Sequence, residues 1–232
     1  MKREPHLNEN VRMNDYAAEK TAQRDAIIRA ALPNVPFDGW TPKVLTAAAE
    51  TAGHAGAVPR LFPGGVADAV AHFMDMADRA MAEDLKAHDL STLKVRAKVA
   101  LGVRLRLERW APHREAVRRA LALTPHPAFA GNVLKNWYRV VDLIWRAAGD
   151  KSVDFNFYTK RGLLAAVYGA TVLFWLDDRS EGCGATWAFL DRRIEDVMQV
   201  PKIQAKIAEG LKALPNPFRM LARAAERMRT TR

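Results

Sequence analysis

From Val66 to Ala87, apolar side chains recur at helical spacing through Val66, Val70, Phe73, Ala77, Ala80 and Leu85, directly after a Pro63-Gly64-Gly65 break. A stripe of that period buries one face of a helix and has no place in a strand. Similar segments follow one another along the chain. Asp25–Leu32 turns Ile27, Ile28 and Leu32 inward, and Thr41 is placed to cap Pro42–Thr51, with proline at the first helical position. A helix capped by Ser91 runs to Trp110 and stops before Pro112. Helices are then expected at His113–Leu123, Pro127–Ala148 (ended by Gly149), Phe157–Asp177 and Thr186–Gln199, followed by Lys202–Leu214 and Phe218–Met228 around Pro215-Asn216-Pro217. One stretch competes: Val99, Leu101, Val103, Leu105 and Leu107 alternate as in a strand. Its flanks are rich in Leu, Ala, Lys and Arg and the run is too long for an ordinary strand, so helix is expected there too. The predicted fold class is all-α.

Charge narrows the partners. The chain of 232 residues carries a formal +10, which favours an anionic partner, nucleic acid or an acidic membrane surface. The excess is concentrated at the end: residues 201–232 hold eight Lys or Arg against Glu209 and Glu226. One cysteine, Cys183, forbids an intramolecular disulfide and fits a reducing compartment. The first residues are polar and include acids, unlike a signal or transit peptide, and the longest apolar run, Val172–Leu176, is too short to span a bilayer. A cytoplasmic chain that touches a membrane surface without crossing it is expected.

Catalytic groupings are sparse. The six histidines (6, 54, 72, 88, 113 and 126) are scattered, with neither His-x-x-x-His nor Glu-x-x-His spacing, so no metal site is expected. Asp177-Asp178 and the group Asp191, Glu195 and Asp196 beside Arg192-Arg193 read as caps or solvated ion pairs. Cys183 sits in a Gly-Cys-Gly loop with no histidine near in sequence, and reads as an ordinary thiol. Phe62-Pro63-Gly64-Gly65 lacks the lysine of a phosphate loop.

Residues 25–73 resemble the N-terminal helix-turn-helix module of TetR-type regulators. The matching residues are Ile27-Ile28, Ala30-Ala31, Gly39-Trp40-Thr41, Leu45, Ala48, Ala52-Gly53 and Arg60-Leu61-Phe62-Pro63-Gly64. A working recognition helix needs side chains that reach base edges and phosphates. Here the equivalent stretch is His54-Ala55-Gly56-Ala57-Val58-Pro59, and within residues 40–65 only Lys43 and Arg60 are cationic. A helix-turn-helix retained as scaffold, with no specific nucleic-acid binding, is the favoured expectation.

A second resemblance covers nearly the whole chain and is strongest from Leu143 to Val197. Ser152-Val153-Asp154-Phe155-Asn156-Phe157-Tyr158-Thr159-Lys160-Arg161 and Trp187-Ala188-Phe189-Leu190-Asp191-Arg192-Arg193 resemble the signature of the coenzyme Q biosynthesis protein nine family. That family usually has Asn-Trp-Tyr where this chain has Asn156-Phe157-Tyr158, so the indole donor is lost. The resemblance implies a TetR-like homodimer with no cofactor of its own, whose cavity holds an isoprenoid quinone precursor or a phospholipid. It further implies a non-enzymatic accessory protein that presents the precursor to demethoxyubiquinone hydroxylase, a di-iron enzyme, from the bacterial cytoplasm at the inner membrane. The implied organisation is a flexible N-terminus (1–20), a helix-turn-helix-like module (21–88), a helical lipid-binding and dimerisation domain (89–200) and a basic amphipathic tail (201–232).

Candidate residues follow. Leu101, Leu105, Trp137, Val141, Trp145, Leu164, Tyr168, Thr171 and Phe174 are placed to line an apolar cavity. Their spacing alone reports a buried helix face, which favours solid core; the resemblance favours the cavity. Asp154, Asn156, Phe157 and Tyr158 combine helix-start residues with two rings, a pattern suited to a partner interface, and by resemblance they face the hydroxylase. In the tail, Phe218 and Leu221 fall on one side of a helical wheel and Arg219, Arg223 and Arg227 on the other, as in a helix lying on anionic lipid. Two functions therefore compete: the lipid-presenting accessory protein and a TetR-type regulator that senses an apolar ligand.

Overall fold

The computed structural model describes residues 5–150 and 155–197; the side chains of residues 5–12, 127, 128, 130, 132–134 and 155–157 lie outside that description. Every regular element among the described residues is helical. In order they are α1 (Pro5–Ala31), α2 (Val35–Asp38), α3 (Pro42–Thr51), α4 (Val58–Leu61), α5 (Val66–Ala87), α6 (Val95–Trp110), a 3₁₀ turn at Ala111–His113, α7 (Arg114–Ala122), α8 (Pro127–Ala147), α9 (Phe155–Asp177) and a 3₁₀ turn at Glu181–Cys183. Residues 184–197 are again helical. The chain divides into two compact units, Met1–Leu190 and Asp191–Arg232. In the second, residues 191–197 are described, and Arg193 pairs with Asp196 across one turn at 2.8 Å.

Several helix ends follow the local chemistry. The Thr41 hydroxyl accepts from the Val44 N–H at 3.3 Å, with Pro42 at the first helical position of α3. Gly149, at φ +87°, ends α8: its N–H reaches the Arg146 carbonyl at 3.0 Å, and Asp150 N–H reaches Trp145 at 3.0 Å. Two ends differ from expectation. Ser91 does not cap α6; its N–H and hydroxyl are held by the Asp89 carboxylate at 2.9 and 2.6 Å in a local turn, and α6 begins at Val95. Helix α1 reaches back to Pro5, well before the Asp25 start that the apolar spacing gives, because its early turns carry no apolar face to announce them.

Helices α1, α3 and α5 form the helix-turn-helix core around Ile27, Ile28, Leu45, Ala48, Leu61 and Phe62, all of them buried. The helix that would read DNA is one turn long. The chain leaves α3 at Thr51, crosses a turn at residues 52–57 and forms only α4, with Pro59 in its first turn. Arg60 on that turn donates to Gln23 on α1 at 2.9 Å.

α5 is the central element and packs against α1 on one side and α6 and α8 on the other. Aromatic rings continue the connection: Trp40 lies 5.1 Å from Phe73, which meets Trp110 edge-on at 4.4 Å. The Trp40 indole N–H donates to the Ala116 carbonyl on α7 at 3.0 Å, tying the small module to the larger helical domain. Two glycines let helices of that domain approach. A Cβ on Gly102 would stand 3.0 Å from Ile144, and one on Gly169 would stand 2.5 Å from the Trp137 ring. α8 therefore packs tightly against both α6 and α9.

Candidate ligand cavity

Helices α5 to α9 enclose a narrow, mostly apolar cavity. α5 contributes Val70 and Met74, α6 Leu107 and Trp110, α7 Val117 and Leu121, α8 Phe129 and Val140, and α9 Val172. Its free volume is about 40 Å³, enough for a water or two, whereas pockets that hold small molecules run to roughly 300–1,000 Å³. The space is thus narrow, and a molecule of that size would need the walls to move apart. Two wider clefts open at the surface. One, about 390 Å³ between α1, α5 and α6, is edged by Asp25, Arg29, Arg79, Glu83 and Arg109 and is too charged for a hydrocarbon chain. The other, about 280 Å³, is a shallow apolar groove between Leu85, Leu90 and Leu143.

One side of the cavity rests on a buried ionic network. Asp78, on the inner face of α5, is 1% exposed. Its carboxylate accepts from Arg106 Nε at 2.9 Å and from Arg139 Nε at 2.8 Å. Arg106, 6% exposed, donates through Nη1 to the Tyr168 hydroxyl at 2.5 Å. Burial disfavours the Arg106 cation, yet the Tyr168 and Asp78 partners outweigh it and raise its pKa. Burial pushes the Tyr168 phenol up as well, so at neutral pH it keeps its proton. The chain of pairs continues outward through Arg139–Asp75 and Arg79–Asp75, both 2.8 Å, to Arg79–Asp25 at 2.6 Å and His72–Asp25 at 2.6 Å. Burial lowers the His72 pKa despite the Asp25 partner, while hydrogen bonds from Arg79 and His72 overcome burial and hold Asp25 below its ordinary value.

Of the nine residues expected to line a cavity, two do: Trp137 and Tyr168, whose rings meet edge-on at 5.6 Å. The other seven lie elsewhere. Leu101 and Leu105 are half-buried, because α6 turns Val99, Val103, Leu107 and Trp110 inward and the residues two positions off fall about 200° around the helix. Val141 and Leu164 are buried away from the cavity, with Val140 taking the lining position on α8. Thr171 is fully buried, its hydroxyl donating to the Val167 carbonyl at 2.7 Å. Trp145 packs under Lys160 at the far end of α8, and its N–H reaches the Lys160 carbonyl at 3.1 Å. Phe174 is 39% exposed and stacks on Phe189 at 4.6 Å, beside the exposed Leu173.

The partner and membrane residues are placed only in part. Tyr158 projects from the first turn of α9 and is 70% exposed. Asp154, the side chains of Asn156 and Phe157, and the tail residues Phe218, Arg219, Leu221, Arg223 and Arg227 lie outside the described residues. The element bearing Tyr158 is anchored from below. Arg161, 5% exposed, bridges Asp142 at 2.7 Å and Asp150 at 3.3 Å, and Lys160 meets Asp150 at 2.8 Å. Among the described residues no group of three or more His, Cys, Asp or Glu converges to hold a metal ion, and no helix is long and apolar enough to cross a membrane.

These features define a class: an all-helical protein with the TetR fold, its reading helix cut to one turn, enclosing a cavity within helices α5–α9. A TetR transcriptional regulator from Nitrosomonas europaea ATCC 19718 superposes with a TM-score of 0.62 over 75% of this chain and 97% of its own, at 20% identity. The family is more specific than the fold, for the chain belongs to the COQ9 family. A COQ9 family model matches residues 130–201, which take in most of α8 and all of α9. Ubiquinone biosynthesis protein COQ9-B, mitochondrial, of Xenopus laevis is 31% identical over 84% of this chain and 68% of its own length. The mitochondrial COQ9 proteins of Drosophila melanogaster and Homo sapiens are 34% and 32% identical, over 84% and 80% of this chain. The chain spans 60% of the length of those two relatives.

Proposed function

We propose that this protein is a non-enzymatic, lipid-binding accessory protein of ubiquinone biosynthesis. It takes an isoprenoid quinone precursor into the cavity and presents it to demethoxyubiquinone hydroxylase at a membrane surface, in a bacterial cell the cytoplasmic face of the inner membrane. The oxidative chemistry belongs to the hydroxylase and its di-iron centre; this chain acts as a homodimer and supplies binding and delivery. The observation that carries the reading is the narrow, mostly apolar cavity among helices α5–α9 of a COQ9-family chain whose DNA-reading helix is a single turn. The exposed Tyr158, on an element held rigid by Arg161 and its two carboxylates, supports a partner surface there. The basic tail supports contact with anionic lipid.

The test is organic extraction of the purified protein followed by mass spectrometry, with quinone analogues added in melting experiments. An isoprenoid quinone intermediate should co-purify, and analogues should raise the melting temperature. Apo protein from several expression hosts, with no thermal response to analogues, refutes the lipid reading. A gel shift on a defined operator that survives competitor DNA at physiological salt would instead make the protein a regulator. Truncation before Pro215 should leave the helical core folded and weaken binding to anionic liposomes; equal binding would remove the tail from the mechanism.

A further inference from the structure

Given that the cavity holds a lipid, the polar atoms on its wall distinguish between quinone and phospholipid. Three of them are hydrogen-bond donors with no acceptor among the described residues. The Trp110 indole N–H is buried and unpaired, in a side chain 7% exposed. The Thr124 hydroxyl is likewise buried and unpaired. The Tyr168 hydroxyl oxygen accepts from Arg106, and among the described residues no bond donated by that hydroxyl accompanies it. All three residues line the same cavity. A buried donor left without an acceptor costs free energy, so such groups are ordinarily satisfied by protein, water or ligand.

Formal charge on this wall is already balanced. Arg106, the cation on the lining, is matched by Asp78, and Arg139 beside it is shared between Asp78 and Asp75. A phosphate entering here would meet guanidinium groups already paired with carboxylates, with only the Arg139 Nη2 donor beside the wall left unpaired, so little positive charge is available to offset its desolvation. A neutral ring bearing carbonyl and alkoxy oxygens offers acceptors and no charge, which is what the three donors lack.

We infer that the cavity selects a neutral, oxygen-substituted lipid ring over an anionic phospholipid head, and that Trp110, Thr124 and Tyr168 hold the ring oxygens inside the protein. Thr124 is the cleanest probe, because threonine and valine match in shape and its hydroxyl makes no bond that folding uses.

The experiment measures binding of decylubiquinone, decylbenzene and phosphatidylglycerol to the full-length protein by equilibrium dialysis, alongside melting curves. Thr124→Val and Trp110→Phe should each weaken decylubiquinone binding about three- to tenfold and leave decylbenzene binding unchanged. Unliganded Thr124→Val should melt at or slightly above the wild-type temperature, since it relieves an unpaired buried hydroxyl. Decylubiquinone binding that ignores both substitutions overturns the donor assignment while the lipid reading stands. Preference of the wild type for phosphatidylglycerol, lost in the same variants, overturns the selection of a neutral ring. If none of the three probes binds, the lipid reading fails and the donor assignment falls with it. A marked drop in the melting temperature of unliganded Thr124→Val would show that its hydroxyl has a structural partner, which also refutes the assignment.

Discussion

Asp78→Asn should be among the most damaging single-atom changes available to this chain. Asp78 lies on the inner face of α5 and its carboxylate is the shared acceptor for Arg106 and Arg139. Asparagine keeps the shape but removes the charge and turns a donor toward a guanidinium. Arg139 still has Asp75 at 2.8 Å, and it is partly exposed. Arg106 is the buried one, and its remaining partners are uncharged: the Tyr168 hydroxyl and, at 4.0 Å, the Met74 sulfur. Breaking a buried ion pair from one side typically costs about 3–5 kcal/mol, since it strands the other charge. In a domain of this size each kcal/mol lowers the melting temperature by about 2–4 °C, so a fall of about 6–20 °C is expected. Asp75→Asn supplies the control, because its pairs with Arg79 and Arg139 are partly solvated and such pairs are worth at most about 1 kcal/mol. Thermal unfolding followed by circular dichroism separates the two. Replacing the pair together, Asp78→Leu with Arg106→Met, should recover most of the loss, because no charge is left stranded. Equal falls for Asp78→Asn and Asp75→Asn, or a double variant less stable than the single, would refute the assignment of the cost to the stranded Arg106 charge.

Gly169→Ala places a methyl 2.5 Å from Trp137 and should lower stability by about 1–3 kcal/mol, although alanine is the better helix former; a rise in melting temperature would mean that Trp137 moves freely. Asp178 accepts from the Ser180 and Thr186 hydroxyls and backbone N–H groups, which together outweigh burial and hold its carboxyl well below the usual range. Its contribution is therefore complete above the ordinary carboxyl pKa near ~4 and is lost as the pH falls through the lower native value, so the melting gap between wild type and Asp178→Asn should shrink on acidification; a gap independent of pH would refute this. Tyr158→Ala should weaken co-purification of the hydroxylase with no more than a small change in melting temperature, and intact capture would remove Tyr158 from the partner surface.

Most of the fold is legible in the sequence because helices announce themselves through the face they bury. α3, α5, α8 and α9 stand close to where apolar spacing and Pro/Gly breaks put them. The early turns of α1 are silent in such a reading, as no apolar stripe marks them. Ser91 shows a different failure. A serine before an apolar run is a fair cap, yet Asp89 two residues earlier is a stronger local acceptor and captures both its N–H and its hydroxyl. The alternating run at 99–107 resolves the same way: once it is a helix, Val99, Val103 and Leu107 face inward, and Leu101 and Leu105 necessarily do not.

The cavity was harder to read, because apolar residues on a helix look alike whether they meet a neighbour or a void. Packing decides between Val140 and Val141 or between Trp137 and Trp145, and packing depends on where Gly102 and Gly169 let the helices close. The more informative signal was polar. Asp78 sits among Phe73, Ala77 and Met81 on the apolar face of α5, and Arg106 sits among Val99, Val103 and Trp110 on that of α6. A charge at a core register is costly unless something opposite answers it, so two opposite charges on neighbouring helices predict each other. Thr124 and Trp110 give a subtler form of the same argument. Each is an ordinary residue in the sequence, and only the structure shows that its donor is buried and unanswered. A buried donor with no protein acceptor on a cavity wall calls for an answer from outside the fold, a water or a ligand.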